Sequence, residues 1–142
     1  MSASSPAAPQ PAVLFVCVKN GGKSQMAAGL MKFEAGNDIT VTSAGTKPGT
    51  AINPLSAEVL KDLGIDISAE KPKALTEENM RSAGLVIVLG TEAEVPAVEG
   101  VEIEIWDTDE PSLRGIEGRA RMELVRDDIH ARVKDLKHRM LA

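Results

Sequence analysis

The chain has 142 residues, 43% of them hydrophobic and 26% charged, with a formal net charge of −5. These values describe one globular domain with a single core. No run reaches the roughly 18 apolar residues of a membrane span, and no basic face argues for a nucleic-acid partner.

Residues 1–11, rich in Ser, Pro and Ala, are expected to form a disordered tail before a single domain at 12–142. The start lacks the basic residues and apolar middle of a signal peptide, so the expected location is the cytoplasm. "AVLFVC" (12–17) is a continuous apolar run that stops at a glycine-containing loop, the pattern of a strand buried on both faces. Residues 24–36 are good helix formers ending at Gly36. "DITVTSAG" (38–45) alternates and predicts an edge strand. "NPLSAEVLKDLG" (53–64) carries Asn53 at a capping position, Pro54 at the first helical position and Gly64 past the end. A short helix capped by Thr76 follows at 75–84. "LVIVLG" (85–90) is a second central strand and "VEIEIW" (101–106) a second edge strand. Met122, Val125, Ile129, Val133, Leu136 and Met140 recur at helical spacing, and predict one long amphipathic helix from about Pro111 to Leu141. His130 and His138 fall on this helix as surface or partly packed residues rather than ligands or bases, and one cysteine supplies no metal set on its own, so no metal is expected.

Strands alternating with helices imply an α/β fold: a three-layer, doubly wound, four-stranded parallel sheet, with right-handed crossovers favouring strand order 2-1-3-4. Ligand sites of such sheets lie past the C-terminal ends of the strands where the winding reverses. Here that point is the loop after Cys17.

The loop reads "CVKNGGKS" (17–24). Gly22-Lys23-Ser24 invites comparison with a nucleotide-binding phosphate loop, but the first glycine of that motif would fall on Cys17, whose side chain would intrude on the phosphates. The other reading places the thiol at the centre. Backbone amides of Val18, Lys19, Asn20, Gly21, Gly22 and Lys23 can curl around a tetrahedral oxyanion. The next helix begins near Lys23–Ser24 and adds its positive end, a setting that favours thiolate over thiol. Ser24 can donate to the sulfur, and Asn20 tolerates a left-handed conformation. The bland alternative is a buried structural cysteine.

"VLFVCVKNGGKSQMAAGLM" resembles the low-molecular-weight tyrosine phosphatase superfamily, and in particular its arsenate reductases, which share the frame of Cys17, Asn20, a basic residue at 23, Ser24, Gln25, Met26 and Ala27. "TSAGTKP", "INPLSAEVLKDLGIDIS" and "LVIVLG" extend the resemblance to about residues 12–140. It implies a low-molecular-weight phosphatase-like fold with Cys17 as nucleophile. The phosphatase loop carries Arg where this chain has Lys23. A point charge replaces a bidentate fork there, which disfavours phosphotyrosine hydrolysis. With one Trp, two Phe and no Tyr, an aromatic slot is not expected either.

The single cysteine and Lys23 together are most similar to the mycothiol-dependent arsenate reductases, or arsenate–mycothiol transferases. That resemblance implies arsenate as substrate, mycothiol as co-substrate and mycoredoxin, a glutaredoxin-like protein, as electron donor. The superfamily also carries an Asp-Pro after the fourth strand, whose Asp protonates the leaving oxygen. This chain reads Asp107, Thr108, Asp109, Glu110, Pro111. Glu110 precedes the proline and Asp109 is the usual residue type, so both are candidate acids; helix capping is the plainer role for them. Thr46 and Asn53 share that edge and read as structural. The rival functions are a tyrosine phosphatase and a non-catalytic oxyanion-binding domain.

Overall fold

A computed structural model describes residues 10–142. Four parallel strands, β1 (Ala12–Cys17), β2 (Thr40–Gly45), β3 (Leu85–Leu89) and β4 (Glu102–Trp106), form one sheet in the order β2-β1-β3-β4. Four helices accompany them: α1 (Lys23–Ala35), α2 (Pro54–Lys61), α3 (Glu77–Ala83) and α4 (Gly118–Leu141). This is the expected three-layer arrangement. Of the tail expected at 1–11, residues 1–9 lie outside the described residues. Gln10 and Pro11 are tied down: Gln10 donates to the Asn37 carbonyl (2.6 Å) and the Thr40 amide donates to that of Pro11 (2.8 Å).

The alternation of side chains along β1 sends its residues into two cores. Val13, Phe15 and Cys17 meet the apolar faces of α1, α2 and α4. Leu14 and Val16 meet Met80 of α3, together with Ala93, Val95 and Val98 from the segment before β4. That segment crosses from β3 to β4 without a helix. α4 buries Met122, Val125, Ile129, Val133 and Leu136, the stripe its periodicity announced. α1 is buried nearly all round, because Gly29 lets Leu60, Ile65 and Ile67 come against it.

One expectation needs correction: the last helix does not begin at Pro111. Pro111–Arg114 forms a single 3-10 turn that ends at Gly115 in a left-handed conformation (φ 77°), with the Ile116 amide returning to the Pro111 carbonyl (3.1 Å). That closing turn redirects the chain, and α4 starts afresh at Gly118. On β4 the parity is also instructive. Ile105 is 62% exposed, whereas Trp106, of opposite parity, is buried against Phe15 (centroids 5.8 Å apart).

Ion pairs lace α4 to the rest. Hydrogen bonds from Arg139 (3.0 Å) and from the Trp106 indole (2.6 Å) converge on Glu104, and Arg139 above all holds its carboxyl below the ordinary 4.5. Glu34 is lowered likewise, first by its hydrogen bond with His130 (2.8 Å) and then by the charges of His130 and Lys137. A depressed carboxylate adds stability above its unfolded pKa and loses it as pH falls through its folded one. The urea midpoint is therefore expected to drop as pH falls below about 4.5, and Glu104→Gln to flatten that dependence. The partners are partly exposed, so each pair contributes under about 1 kcal/mol.

Candidate active site

The loop after β1 is shaped by where its carbonyls go. Those of Cys17, Val18, Lys19 and Gly21 accept from the amides of Thr46 (3.1 Å), Lys47 (2.8 Å), Gly49 (3.0 Å) and Asn53 (2.7 Å). The Asn20 carbonyl accepts from the buried Gln25 amide (3.2 Å). Five successive peptide units thus have four carbonyls turned out to the 46–53 segment and one to Gln25. Their N–H groups are left for the concave side, the geometry of an anion cradle. Among the described residues, the amides of Lys19, Gly21 and Gly22 make no turn or loop hydrogen bond of their own. The N-terminus of α1 closes the cradle with no side-chain cap and no acidic residue in its first turn. Its orphan amides and positive end face the same space.

The Cys17 sulfur sits at this focus, 2.9 Å from the Ser24 hydroxyl and 3.2 Å from the Asn20 amide. Asn20 adopts the left-handed conformation (φ 54°) and is fully buried. Its side chain repays the strain of that conformation in hydrogen bonds. Nδ2 donates to Ser24 Oγ (2.7 Å), and Oδ1 accepts from the Lys73 amide (2.9 Å) and Gln25 (3.2 Å). Every polar neighbour of the sulfur is in turn held by another element, so the sulfur has one position.

Lys23 leaves the first turn of α1 and reaches across the mouth to Glu110, with which it forms an ion pair. Gly90, in a left-handed conformation (φ 89°), lies beside it; a Cβ there would make ordinary contact with the ammonium at 3.6 Å. Glu110 also lies 3.7 Å from the Arg121 guanidinium. Asp109 turns away to a forked pair with Arg114 (2.7 and 3.1 Å), whose hydrogen bonds hold its carboxyl below the ordinary 3.8. Asp107 presents its carbonyl to Arg132 (2.9 Å). Of the two candidate acids, Glu110 is thus the one at the loop, and Asp109 faces a cation on its own turn. Asn53 caps α2, accepting from the Leu55 and Ser56 amides, while its own amide and that of Thr46 buttress the loop. His130 and His138 lie on α4 away from the sulfur; His130 pairs with Glu34.

Three features escaped the sequence reading. Gln25 was seen only as part of a motif, yet it ties the loop to the Lys71 carbonyl (3.3 Å). Gly45, paired in register with Cys17, sits where a Cβ would lie 2.6 Å from the Val18 carbonyl oxygen. Arg121 gave no signal, because contact with Glu110 depends on the turn that separates them. The three aromatic rings are all accounted for elsewhere: Phe15 and Trp106 are buried together and Phe33 lies on the outer face of α1. None walls the loop.

A thiol at the C-terminal end of a central parallel strand, wrapped by loop amides and a helix N-terminus, has the shape of an anion cradle built around a sulfur. The model of the low molecular weight phosphotyrosine protein phosphatase family matches residues 12–141, and the chain belongs to that family. An arsenate reductase of Staphylococcus aureus is 31% identical over 130 residues, covering 89% of this chain and 96% of the relative. Among solved structures, a thioredoxin-dependent arsenate reductase of Corynebacterium glutamicum superposes with a TM-score of 0.80 at 33% identity. The match covers 96% of this chain and 64% of that one, so this chain spans less than two thirds of that neighbour's length. An arsenate reductase in its phosphate-binding state gives 0.78 at 27% identity, over 92% and 98% of the two chains.

Proposed function

We propose that this chain detoxifies arsenate by passing it from Cys17 to an external low-molecular-weight thiol, mycothiol, for reduction to arsenite with mycoredoxin. The observation that carries the reading is the lone cysteine whose sulfur is held by Asn20 and Ser24 inside an amide cradle closed by Lys23. Arsenate reductases among the relatives support the substrate, and the lack of an aromatic wall suits a small oxyanion.

In the first step the Cys17 thiolate bonds to arsenic while one arsenate oxygen departs as water, taking a proton that Glu110 supplies. Amides of 18–23 and the Lys23 ammonium hold the remaining oxygens. Arsenic stays As(V). In the second step the mycothiol thiolate bonds to arsenic, the Cys17–arsenic bond breaks, and Cys17 returns as thiolate. A mycoredoxin thiolate then attacks the mycothiol sulfur. The sulfur–arsenic electron pair stays on arsenic, giving arsenite and a mycothiol–mycoredoxin mixed disulfide. An external thiol is required because this chain has one cysteine and forms no internal disulfide to pass outward.

Arsenite release is the test: it should require arsenate, mycothiol and mycoredoxin together. Brisk hydrolysis of an aryl phosphate without thiol would make the chain a phosphatase instead, and absence of any thiol-dependent turnover would sink the proposal. Glu110→Gln is expected to lower kcat by about 10²–10⁴-fold, the span of a lost general acid. Asp109→Asn should change it only a few-fold, since its carboxylate faces Arg114. A larger loss in Asp109→Asn than in Glu110→Gln would reverse that assignment.

A further inference from the structure

The carboxylate of Glu110 stands on Lys23, the same cation that the proposed function assigns to an incoming oxyanion. Two anions competing for one ammonium is a cost to binding unless the displaced one has somewhere to go. Three observations identify where. Arg121, in the first turns of α4, already lies 3.7 Å from the second Glu110 oxygen. Its Nε is fully buried and has no hydrogen-bond partner in this arrangement, an uncommon and unfavourable condition for a charged donor. The backbone on either side of Glu110 is pinned: Arg132 holds the Asp107 carbonyl, Asp128 accepts from the Asp109 amide (2.8 Å), and Pro111 opens the 3-10 turn. A small rotation of the Glu110 side chain is therefore enough, with no movement of the loop.

We infer that Arg121 is a positioning residue that receives the Glu110 carboxylate when an oxyanion takes Lys23. The long contact then becomes a hydrogen bond from the orphaned Nε to one Glu110 oxygen, and the other oxygen, freed from Lys23, stays beside the cradle to carry the proton that the proposed first step delivers. A guanidinium suits this task because it donates to one carboxyl oxygen and cannot itself take the proton that the other carries. The inference rests on the oxyanion-binding part of the proposed function and is independent of which thiol completes the reaction.

The test measures how well arsenate protects Cys17 from alkylation by iodoacetamide, which reads binding without turnover. Arg121→Ala should weaken protection about tenfold, the loss of one charge-assisted contact, and Arg121→Lys should recover part of it. Glu110→Gln should protect at least as well as the parent, because a neutral amide competes weakly for Lys23. In Glu110→Gln/Arg121→Ala the effect of Arg121 should shrink to about twofold or less, the residue of its direct field. A merely structural Arg121, or one that grips arsenate itself, would show the same loss in both backgrounds, and that result overturns the inference, as would no effect of Arg121→Ala on protection. Arsenite formation is followed separately. Its absence with protection intact would refute the thiol-transfer reading alone, whereas no protection in the parent would refute both.

Discussion

Cys17→Ser is expected to reduce thiol-dependent arsenite formation to background, a loss of at least about 10³-fold, while leaving the fold in place. The size of the effect follows from the proposed role: a hydroxyl at neutral pH is almost never ionised, and the chain has no second cysteine to take its place. The fold should survive because serine preserves the contacts. The side chain is 9% exposed, and a hydroxyl can still accept from the Asn20 amide and exchange a hydrogen bond with Ser24. The expected stability change is within about 1 kcal/mol. Paired measurements decide it: arsenite release, and the urea midpoint followed by circular dichroism. Lost activity with an unchanged midpoint fits a nucleophile. Retained activity would remove Cys17 from the chemistry, and a collapsed midpoint would return it to the role of a buried structural cysteine.

α2 was legible in the sequence because its signals are local: Asn53 caps, Pro54 opens and Gly64 follows the end at φ 82°. The strand order followed from the contrast between the two unbroken apolar runs and the two alternating ones. The loop's place in the fold was legible because an apolar run that stops at a cysteine and glycines reads as the end of a central strand. What stayed hidden depends on contacts distant in sequence. Lys23 meets Glu110 across 87 residues, and the Lys73 amide reaches Asn20 across 53. No periodicity encodes such contacts. The start of α4 was misplaced because the acid-rich loop and Pro111 look like a helix entry. Only the left-handed Gly115 shows that the turn there closes on itself before the helix begins. The choice between Asp109 and Glu110 was open for the same reason: adjacent residues on a turn point to different partners, and one of those partners, Arg114, was not suspected.

Gly45→Ala is expected to damage the site from behind. Gly45 ends β2 opposite Cys17, its carbonyl accepts from the Leu75 amide (2.9 Å) and its amide donates to the Lys73 carbonyl (2.7 Å), so its backbone is fixed on both sides. A Cβ would lie 2.6 Å from the Val18 carbonyl oxygen and 3.0 Å from both the Asn20 amide nitrogen and Cβ. None of these atoms can yield as a flexible chain end would. The first belongs to the loop backbone, and the others to a buried residue in the left-handed conformation. Relief must come from moving the loop, which shifts the Asn20 amide off the Cys17 sulfur and weakens the Lys47 contact that turns the Val18 carbonyl outward. Overpacking of this kind costs about 1–3 kcal/mol. Its catalytic effect should be larger than its effect on stability, since an ångström of misplacement can cost about 10²-fold. Gly36→Ala is the matched control: it sits at the C-terminus of α1 with φ 56° and open space around its Cβ position, far from the sulfur in the chain's path. It should lower stability through backbone strain alone. If Gly45→Ala alkylates at Cys17 and turns over arsenate like the parent, the loop is more compliant than its hydrogen bonds imply. If both variants lose activity only in proportion to stability, the close approach at Gly45 serves the fold and not the cradle.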